Sequence, residues 1–216
     1  MKQVGVDDIV AVLREAAVRI GDCVDYLGRL DGEIGDGDHG YTMARGFTAM
    51  VRALNEIETQ TTDLTSLFSL CASSFLDSVG ATTGPLYASG LLRAGRYAEG
   101  RSSLDADEAL MLLVAIGDGI GDRGKAIAGD KTMMDVWLAV GQTIKASRQN
   151  SLPLEQTLTD IKSVARHAVE STRSMMAVRG RASRLGERSL GHIDPGAASA
   201  AIIVECFADI LSQRIL

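Results

Sequence analysis

The sequence is poor in the residues that build β-sheets and disulfide-linked domains. Only 4% of its 216 residues are aromatic, and it holds three prolines and three cysteines. Sheets favour aromatic and β-branched side chains, so this composition suits helix-on-helix packing better. Cys23, Cys71 and Cys206 are widely spaced in apolar, helix-like surroundings. This pattern predicts buried free thiols in a reducing compartment.

Positive charge and long apolar runs are also scarce. Lys and Arg number 22 against 28 Asp and Glu, which gives a formal net charge of −6. Nucleic-acid binding needs clustered basic side chains, so nucleic acid is not expected as a partner. No apolar run is expected to reach the roughly 18 residues needed to span a bilayer. The acidic start, with Asp7 and Asp8, differs from the basic beginning of a signal peptide. We therefore predict a cytoplasmic protein with no membrane partner.

Helical periodicity, in contrast, is abundant. Apolar residues recur at intervals of three and four between Ile9 and Leu30, which predicts a first long helix. Similar patterns cover residues 41–55, 64–78, 85–97, 105–121, 132–147, 154–176 and 196–214. Each of the three prolines falls in the first turn of a predicted helix, where proline costs no hydrogen bond: Pro85, Pro153 and Pro195. With no convincing strand pattern, we predict one all-α domain of eight helices over residues 1–216.

The loops between these helices alternate in composition. Those leaving odd-numbered helices are rich in Gly, Asp, Thr and Arg, and they span residues 31–40, 79–84, 122–131 and 179–196. Those leaving even-numbered helices are plain, at residues 55–63, 98–104 and 147–152. In an antiparallel up-and-down barrel or bundle, all the rich loops gather at one end. Four helix N-termini then point into that end, and their free N–H groups and dipoles favour an anion.

The first rich loop carries a cluster of carboxylates. Asp31, Asp36 and Asp38 are separated by glycines that let the chain turn all three side chains inward. Crowded carboxylates repel one another, and a hard divalent cation relieves the repulsion. Oxygen ligands favour Mg²⁺ or Ca²⁺ over zinc, whereas the closing Glu of an EF-hand is missing. For the two neighbouring aspartates alone, a solvated capping turn remains an alternative.

Residues 119–126, GIGDRGKA, fit the spacing of a phosphate-binding P-loop. Ala126 stands where that loop needs a Ser or Thr to ligate Mg²⁺. A second strand with an acidic end, which the P-loop fold also needs, is not evident in the sequence. We therefore do not expect a P-loop.

Four segments together resemble a known family. They are residues 35–46 (GDGDHGYTMARG), 79–87 (VGATTGPLY), 129–137 (GDKTMMDVW) and 180–197 (GRASRLGERSLGHIDPGA). In this order they resemble the L subunit of dihydroxyacetone kinases, whose fold is also the nucleotide-binding domain of the ATP-dependent enzymes. The resemblance covers nearly the whole chain. It implies an eight-helix barrel with a Mg-nucleotide in the loops at one end.

The same resemblance implies a set of site residues. Asp31, Asp36 and Asp38 would hold two Mg²⁺ ions against the phosphates of ADP or ATP. The nucleotide would be contacted by His39, Gly40, Tyr41, Thr42, Thr82, Thr83, Gly124, Met133, Arg181, Asp194, Pro195 and Gly196. Arg181 is the candidate catalytic residue, because a guanidinium fork neutralises phosphate charge. Taken alone, Met133 also fits plain core packing, and Arg181 also fits a solvated loop.

The implied activity is transfer of a phosphoryl group to a ketose held on a separate K subunit. Two cycles stay open. In one, ADP remains bound and is rephosphorylated by a phosphocarrier of the phosphotransferase system, the M subunit; in the other, ATP is consumed. Also open are an erythrulose-type ketotetrose kinase, a nucleotide-sensing module for a transcription regulator, and a homodimer.

Two positions depart from the family pattern. Thr42 stands where members usually carry Asn, and it lacks the paired donor and acceptor of the amide. Ala81 stands in the segment 80–84, GATTG, where members usually read GGASG. These changes are what a subfamily acting on a different ketose would show.

Overall fold

The structure is a computed structural model that describes residues 3–80 and 82–215, so Ala81 and its departure from the family pattern lie outside the described residues. Over these residues the chain forms nine α-helices, and the prediction of an all-α fold is confirmed. They are α1 (Val6–Asp22), α2 (Val24–Ile34), α3 (His39–Leu54), α4 (Leu64–Ser78), α5 (Thr83–Tyr97), α6 (Ala106–Gly124), α7 (Met133–Gln149), α8 (Leu154–Ser171) and α9 (Pro195–Ile215).

The helices close into a ring around an apolar core. From α3 onward each helix packs on the next, and α1 packs on both α3 and α9. The core takes its largest side chains from different sides of the ring, including Trp137, Phe75 and Met43. Burial of such side chains stabilises the ring by about 1.5–3 kcal/mol each.

The predicted first helix is wrong in one respect, because the chain breaks it at Cys23. This residue has φ −98° and ψ 9°, ending α1 and starting α2. Gly21 and Asp22, which precede the break, are poor helix formers. The break leaves α2 as a separate short helix that packs on α3 and α9.

Other boundaries also differ from the sequence prediction. The helix expected over residues 154–176 ends at Ser171, where a 3-10 helix follows over Thr172–Ser174. A second 3-10 helix, Arg181–Ser189, lies within the last rich loop. A two-residue antiparallel ladder joins β1 (Val4–Gly5) to β2 (Ser103–Leu104). Strands of this length are too short to show a period-two pattern.

The prolines lie at the helix starts, as predicted, and two of the three cysteines are buried. Pro85 is in the first turn of α5, Pro153 is the N-cap of α8, and Pro195 begins α9. The three cysteines are free thiols, although Cys23 is only partly buried. Burial raises the pKa of Cys71 to about 12, which keeps this thiol protonated at neutral pH.

The most apolar helix is α9. Among the described residues, Pro195–Arg214 is the one helical stretch long and apolar enough to cross a membrane, with a mean hydropathy of 1.4. The expectation that no run reaches this length is therefore wrong. Within the protein, 72% of that window is buried, as in a core helix.

Glycines bring α5 and α6 into close contact. A Cβ atom on Gly119 would lie 2.6 Å from the Ser89 carbonyl oxygen and 2.8 Å from the Gly90 Cα atom. Gly119 and Gly121 both lie within α6, which runs from Ala106 to Gly124. A P-loop needs an irregular loop there, so the structure agrees with its exclusion.

We expect Gly119→Ala to destabilise the protein by about 1–3 kcal/mol, because the added methyl group overpacks the α5–α6 contact. Gly141→Ala is the matched control, since Gly141 lies inside α7 and a Cβ atom added to it would meet nothing within 4 Å. There, alanine should be neutral or stabilise by up to about 1 kcal/mol. Urea unfolding monitored by circular dichroism measures both changes. Equal effects of the two variants would contradict a packing role for Gly119.

Candidate functional site

A cleft of about 510 Å³ opens at the end of the ring where α3, α5, α7 and α9 begin. Its wall takes residues from the described parts of all four rich loops. The predicted gathering of these loops at one end is therefore confirmed. Four helix N-termini reach the same space, so their free N–H groups and dipoles favour an anion there.

Most of the predicted site residues line this cleft. They are Asp31, Asp36, Asp38, His39, Thr42, Thr82, Thr83, Gly124, Met133, Arg181, Asp194, Pro195 and Gly196. Gly40 and Tyr41 lie outside its wall. Gly40 is buried where α3 meets α2, and a Cβ atom there would collide with the Val24 carbonyl group. Tyr41 is 69% exposed.

The three predicted metal ligands meet at the mouth of the cleft. One carboxylate oxygen from each of Asp31, Asp36 and Asp38 lies within 4.8 Å of the others. Asp31 was predicted in a loop, but it belongs to the last turn of α2, which runs to Ile34. The helix continues through Gly32 to Ile34, and the irregular segment shrinks to residues 35–38.

Two glycines shape this cluster. Gly37 has φ +80°, a left-handed conformation that favours glycine. A Cβ atom on Gly35 would collide with the Asp31 carboxylate. Gly35 therefore leaves the space that this carboxylate occupies. Oxygen ligands held this closely fit a hard divalent cation such as Mg²⁺.

A positive side chain already faces two of these carboxylates. The Arg181 guanidinium forms an ion pair with Asp36 and lies 3.5 Å from Asp38. Arg181, which the resemblance implied at the nucleotide, therefore reaches the carboxylate cluster from the second 3-10 helix. The two carboxylates raise the pKa of Arg181, and the ion-pair geometry shows a cationic side chain at the cluster.

His39 connects the carboxylate cluster to α9. Its backbone N–H donates to Asp31 Oδ2 at 3.1 Å, and its Nε2 atom lies 2.9 Å from Ser199 Oγ. Ser199 Oγ donates to the Gly196 carbonyl at 3.0 Å, so it accepts from His39 Nε2–H. Burial lowers the pKa of His39, which makes the imidazole neutral at pH 7.

Asp194 caps the start of α9 inside the cleft. Its Oδ2 atom accepts a hydrogen bond from the Ala197 backbone N–H at 2.7 Å. Burial raises the pKa of Asp194 to about 7, although the Ala197 N–H and the nearby Lys131 ammonium favour the charged form. Asp194 therefore titrates near neutral pH.

Several residues that shape the third and fourth rich loops were not predicted from the sequence. Arg179 donates to Asp130 Oδ2 at 3.1 Å and to the Lys125 carbonyl at 2.7 Å, which ties these two loops together. Asp135 accepts from the N–H groups of Gly129 at 2.6 Å and Thr132 at 2.8 Å. A capping-box signal, Thr132 followed three residues later by Asp135, was present in the sequence. The contacts of Arg179 are non-local and left no such signal.

Comparisons with known proteins give the family. Residues 33–209 match the family model described as the DAK2 domain. The chain belongs to the DAK2 domain family. It is similar to the ADP-binding subunit DhaL of PEP-dependent dihydroxyacetone kinase from Escherichia coli strain K12, with 40% identity over 85% of this chain and 87% of that protein. It is also similar to the ADP-binding subunit DhaL of PTS-dependent dihydroxyacetone kinase from Lactococcus lactis, with 38% identity over 87% of this chain and 88% of that protein.

A solved structure shares the fold. The crystal structure of the dihydroxyacetone kinase from C. freundii in complex with AMP-PNP and Mg²⁺ matches with a TM-score of 0.69 and 23% identity. The match covers 93% of this chain and spans 33% of the crystallised chain. This likeness supports the helical ring.

We expect Gly35→Ala to weaken Mg²⁺ binding by about tenfold, because its methyl group displaces the Asp31 carboxylate. Gly32→Ala is the matched control three residues earlier in α2, where an added Cβ atom meets nothing within 4 Å. Calorimetric titration with Mg²⁺ alone compares the variants. Equal Mg²⁺ affinity in both would show that Gly35 does not shape the ligand cluster.

We expect Arg181→Gln to tighten the binding of Mg²⁺ alone by about threefold, because the variant removes a cation that competes for Asp36 and Asp38. Arg184→Gln, on the same 3-10 helix, should leave Mg²⁺ affinity unchanged. Both are measured by titration without nucleotide. Weaker Mg²⁺ binding in Arg181→Gln would rule out competition between the guanidinium and the ion.

Proposed function

We propose that this chain is the nucleotide-binding subunit of a dihydroxyacetone kinase. In this role it passes a phosphoryl group from bound nucleotide to a ketose held on a separate K subunit. The observation that carries the proposal is the single cleft in which the carboxylate cluster meets four helix N-termini. The similar proteins from E. coli and L. lactis are named as ADP-binding subunits of such kinases, which supports the same role here.

Two Mg²⁺ ions would be held by Asp31, Asp36 and Asp38. When bound, Mg²⁺ offsets phosphate charge and orients the phosphate oxygens for transfer. The fit rests on the three oxygen ligands, on the space left by Gly35 and on the guanidinium already seated there. Arg181 would then turn from the aspartates to the transferring phosphoryl group, as the catalytic residue.

The remaining contacts follow from the cleft wall. The N-termini of α3, α5 and α9 would bind phosphate oxygens through their backbone N–H groups. The residues of these N-termini that line the cleft are Thr42, Thr82, Thr83 and residues 194–196. Met133 is 8% exposed and lines the cleft, so its thioether would lie on the base while its stem packs in the core. Gly124, which also lines the cleft, would lie beside the base of the nucleotide. Contacts at Gly40 and Tyr41 stay predictions, since both lie outside the cleft wall.

The transfer needs a partner that brings the acceptor. The bond between the terminal phosphorus of ATP and its bridging oxygen breaks, and ADP keeps that oxygen and the electron pair. A new bond forms between the phosphorus and a ketose hydroxyl oxygen. The hydroxyl proton passes to a base on the K subunit. This chain's part is to position the phosphates and stabilise their charge, which is the main requirement of phosphoryl transfer.

We further propose that ADP stays bound and is rephosphorylated by a phosphocarrier of the phosphotransferase system, the M subunit. The similar proteins are named as PEP-dependent and PTS-dependent, which favours this cycle over consumption of ATP. The transcription regulator, the homodimer and the cytoplasmic location stay predictions.

The proposed function is tested by a coupled phosphorylation assay with the K subunit and dihydroxyacetone. We expect turnover with phosphoenolpyruvate and the carrier proteins, and ADP retained on the purified chain. Turnover with ATP alone, together with an empty purified site, would reverse the assignment of the donor. Absence of turnover with both donors would contradict the proposed kinase function.

Asp36→Asn should abolish Mg²⁺-dependent ADP binding and turnover in the same assay, because it removes the charge of a metal ligand. The Asn side chain has nearly the same shape as the Asp side chain that it replaces. Its helical circular dichroism should match the unaltered chain. Asp77→Asn, at an exposed position of α4, should keep full binding and activity. Normal ADP binding by Asp36→Asn would make the metal assignment wrong.

A further inference from the structure

Lys131 is a buried lysine at the edge of the cleft. The residue is 1% exposed, and its backbone has φ +58°. A left-handed conformation is rare for a lysine and persists only where the surroundings determine it. Lys131 also belongs to the cleft wall. Both its backbone and its ammonium group are thus fixed by neighbours.

The ammonium group binds two backbone carbonyls from different segments. Lys131 Nζ donates to the Thr172 carbonyl at 2.5 Å and to the His192 carbonyl. Thr172 lies in the 3-10 helix after α8, and His192 lies two residues before Asp194. The His192 ring is held from the other side, 2.9 Å from the Glu33 carboxylate. Lys131 therefore joins the end of α8 to the segment that leads into α9.

Thr172 completes the connection to Asp194. Its carbonyl accepts from Lys131, and its Oγ1 atom accepts from the Asp194 backbone N–H at 3.0 Å. The same hydroxyl donates to the Val169 carbonyl at 2.6 Å. Asp194 in turn accepts from the Ala197 N–H. A continuous set of hydrogen bonds therefore runs from Lys131 to the first turn of α9.

Burial of a lysine ammonium is costly unless charge and hydrogen bonds compensate it. Burial lowers the pKa of Lys131, whereas the nearby carboxylate of Asp194 opposes this shift. A hydrophobic side chain would fill the space without this cost. The cost is therefore evidence that the ammonium has a role beyond filling space.

We propose that Lys131 is a positioning residue for the nucleotide site: by binding the carbonyls of Thr172 and His192, it fixes Asp194 and the N-terminus of α9 against the nucleotide. The proposal rests on the proposed function, since it assigns Lys131 a part in that same site. Lys131 acts through Asp194 and does not need to touch the nucleotide. The carboxylates themselves lie on α2 and residues 35–38, so we expect metal binding to depend less on this connection than nucleotide binding does.

The test compares two affinities in one set of variants. Lys131→Met keeps an unbranched side chain that is one atom shorter, and it removes the charge and the donors. We expect it to weaken binding of ADP with Mg²⁺ by about tenfold, since a hydrogen bond to a charged group is lost. Binding of Mg²⁺ alone should stay within about twofold of the unaltered chain, since Lys131 makes no contact with the carboxylate cluster. Lys125→Met is the matched control, because Lys125 is an exposed lysine that also has a positive φ, 55°.

Thr172→Val tests the same connection from its other side. It removes the hydroxyl that holds the Asp194 N–H and keeps the shape of the side chain, so ADP binding should weaken while Mg²⁺ binding is kept. This variant decides the question if Lys131→Met fails to fold. In an Asp194→Asn background, the effect of Lys131→Met should largely disappear, as expected for residues that act through one another.

Three results of these binding measurements would overturn the proposal. In the first, Lys131→Met lowers the melting temperature but leaves the ADP affinity of the folded protein unchanged, which would indicate a purely structural role. In the second, Lys131→Met loses ADP affinity and Mg²⁺ affinity in parallel, which would indicate a general disturbance of the site. The third is additivity of Lys131→Met with Asp194→Asn.

Amide hydrogen exchange at Ala197 needs no nucleotide and separates this proposal from the proposed function. Faster exchange at Ala197 in Lys131→Met, with the rest of α9 protected, supports the positioning role even in a chain that binds no ADP. Unchanged exchange at Ala197 overturns it. Failure of the unaltered chain to bind ADP would count against the proposed function alone.

Discussion

Repulsion among three carboxylates is the constraint that the site is built around. Asp31, Asp36 and Asp38 present oxygens within 4.8 Å of one another, and like charges at this distance need a cation between or beside them. The fold keeps them together in two ways. α2 supplies Asp31 from a rigid last turn, and Gly35 leaves space for its carboxylate. Arg181 then balances part of the charge from a separate loop.

Alternating helix direction places everything else at this end of the ring. Because α3, α5, α7 and α9 all begin there, each adds free N–H groups without any basic side chain. Side-chain hydrogen bonds then fix the loops relative to one another. Arg179 joins the third rich loop to the fourth, and the contact between His39 and Ser199 joins α3 to α9. The parts of the site are thus joined mainly by contacts between segments that are distant in sequence.

Local signals predicted much of the fold and the carboxylates. The apolar spacing that predicted a helix over residues 64–78 matches the bounds of α4, because the buried face of a helix appears in the sequence as apolar residues three and four apart. The break at Cys23 was missed because the apolar spacing runs through it, although Gly21 and Asp22 are poor helix formers. The second 3-10 helix was missed because residues 181–189 show no apolar spacing. Asp36 and Asp38 stand out by spacing alone, whereas Lys131 does not. A buried lysine bound to two carbonyls is recognised only when α8 and the segment before α9 are seen beside it.

The charges of the cleft wall explain why nucleotide and metal should bind together. Among its described residues, four carboxylates (Asp31, Asp36, Asp38 and Asp194) face four cationic side chains (Arg45, Lys131, Arg179 and Arg181). The buried His39 adds no charge, because its pKa is lowered. Lys131 and Arg179 already donate to backbone and side-chain acceptors of the protein. The wall alone therefore offers a polyphosphate little net positive charge, and the helix N-termini provide only partial charges. A divalent cation at Asp31, Asp36 and Asp38, as proposed above, would add positive charge to this wall and so favour an anionic ligand.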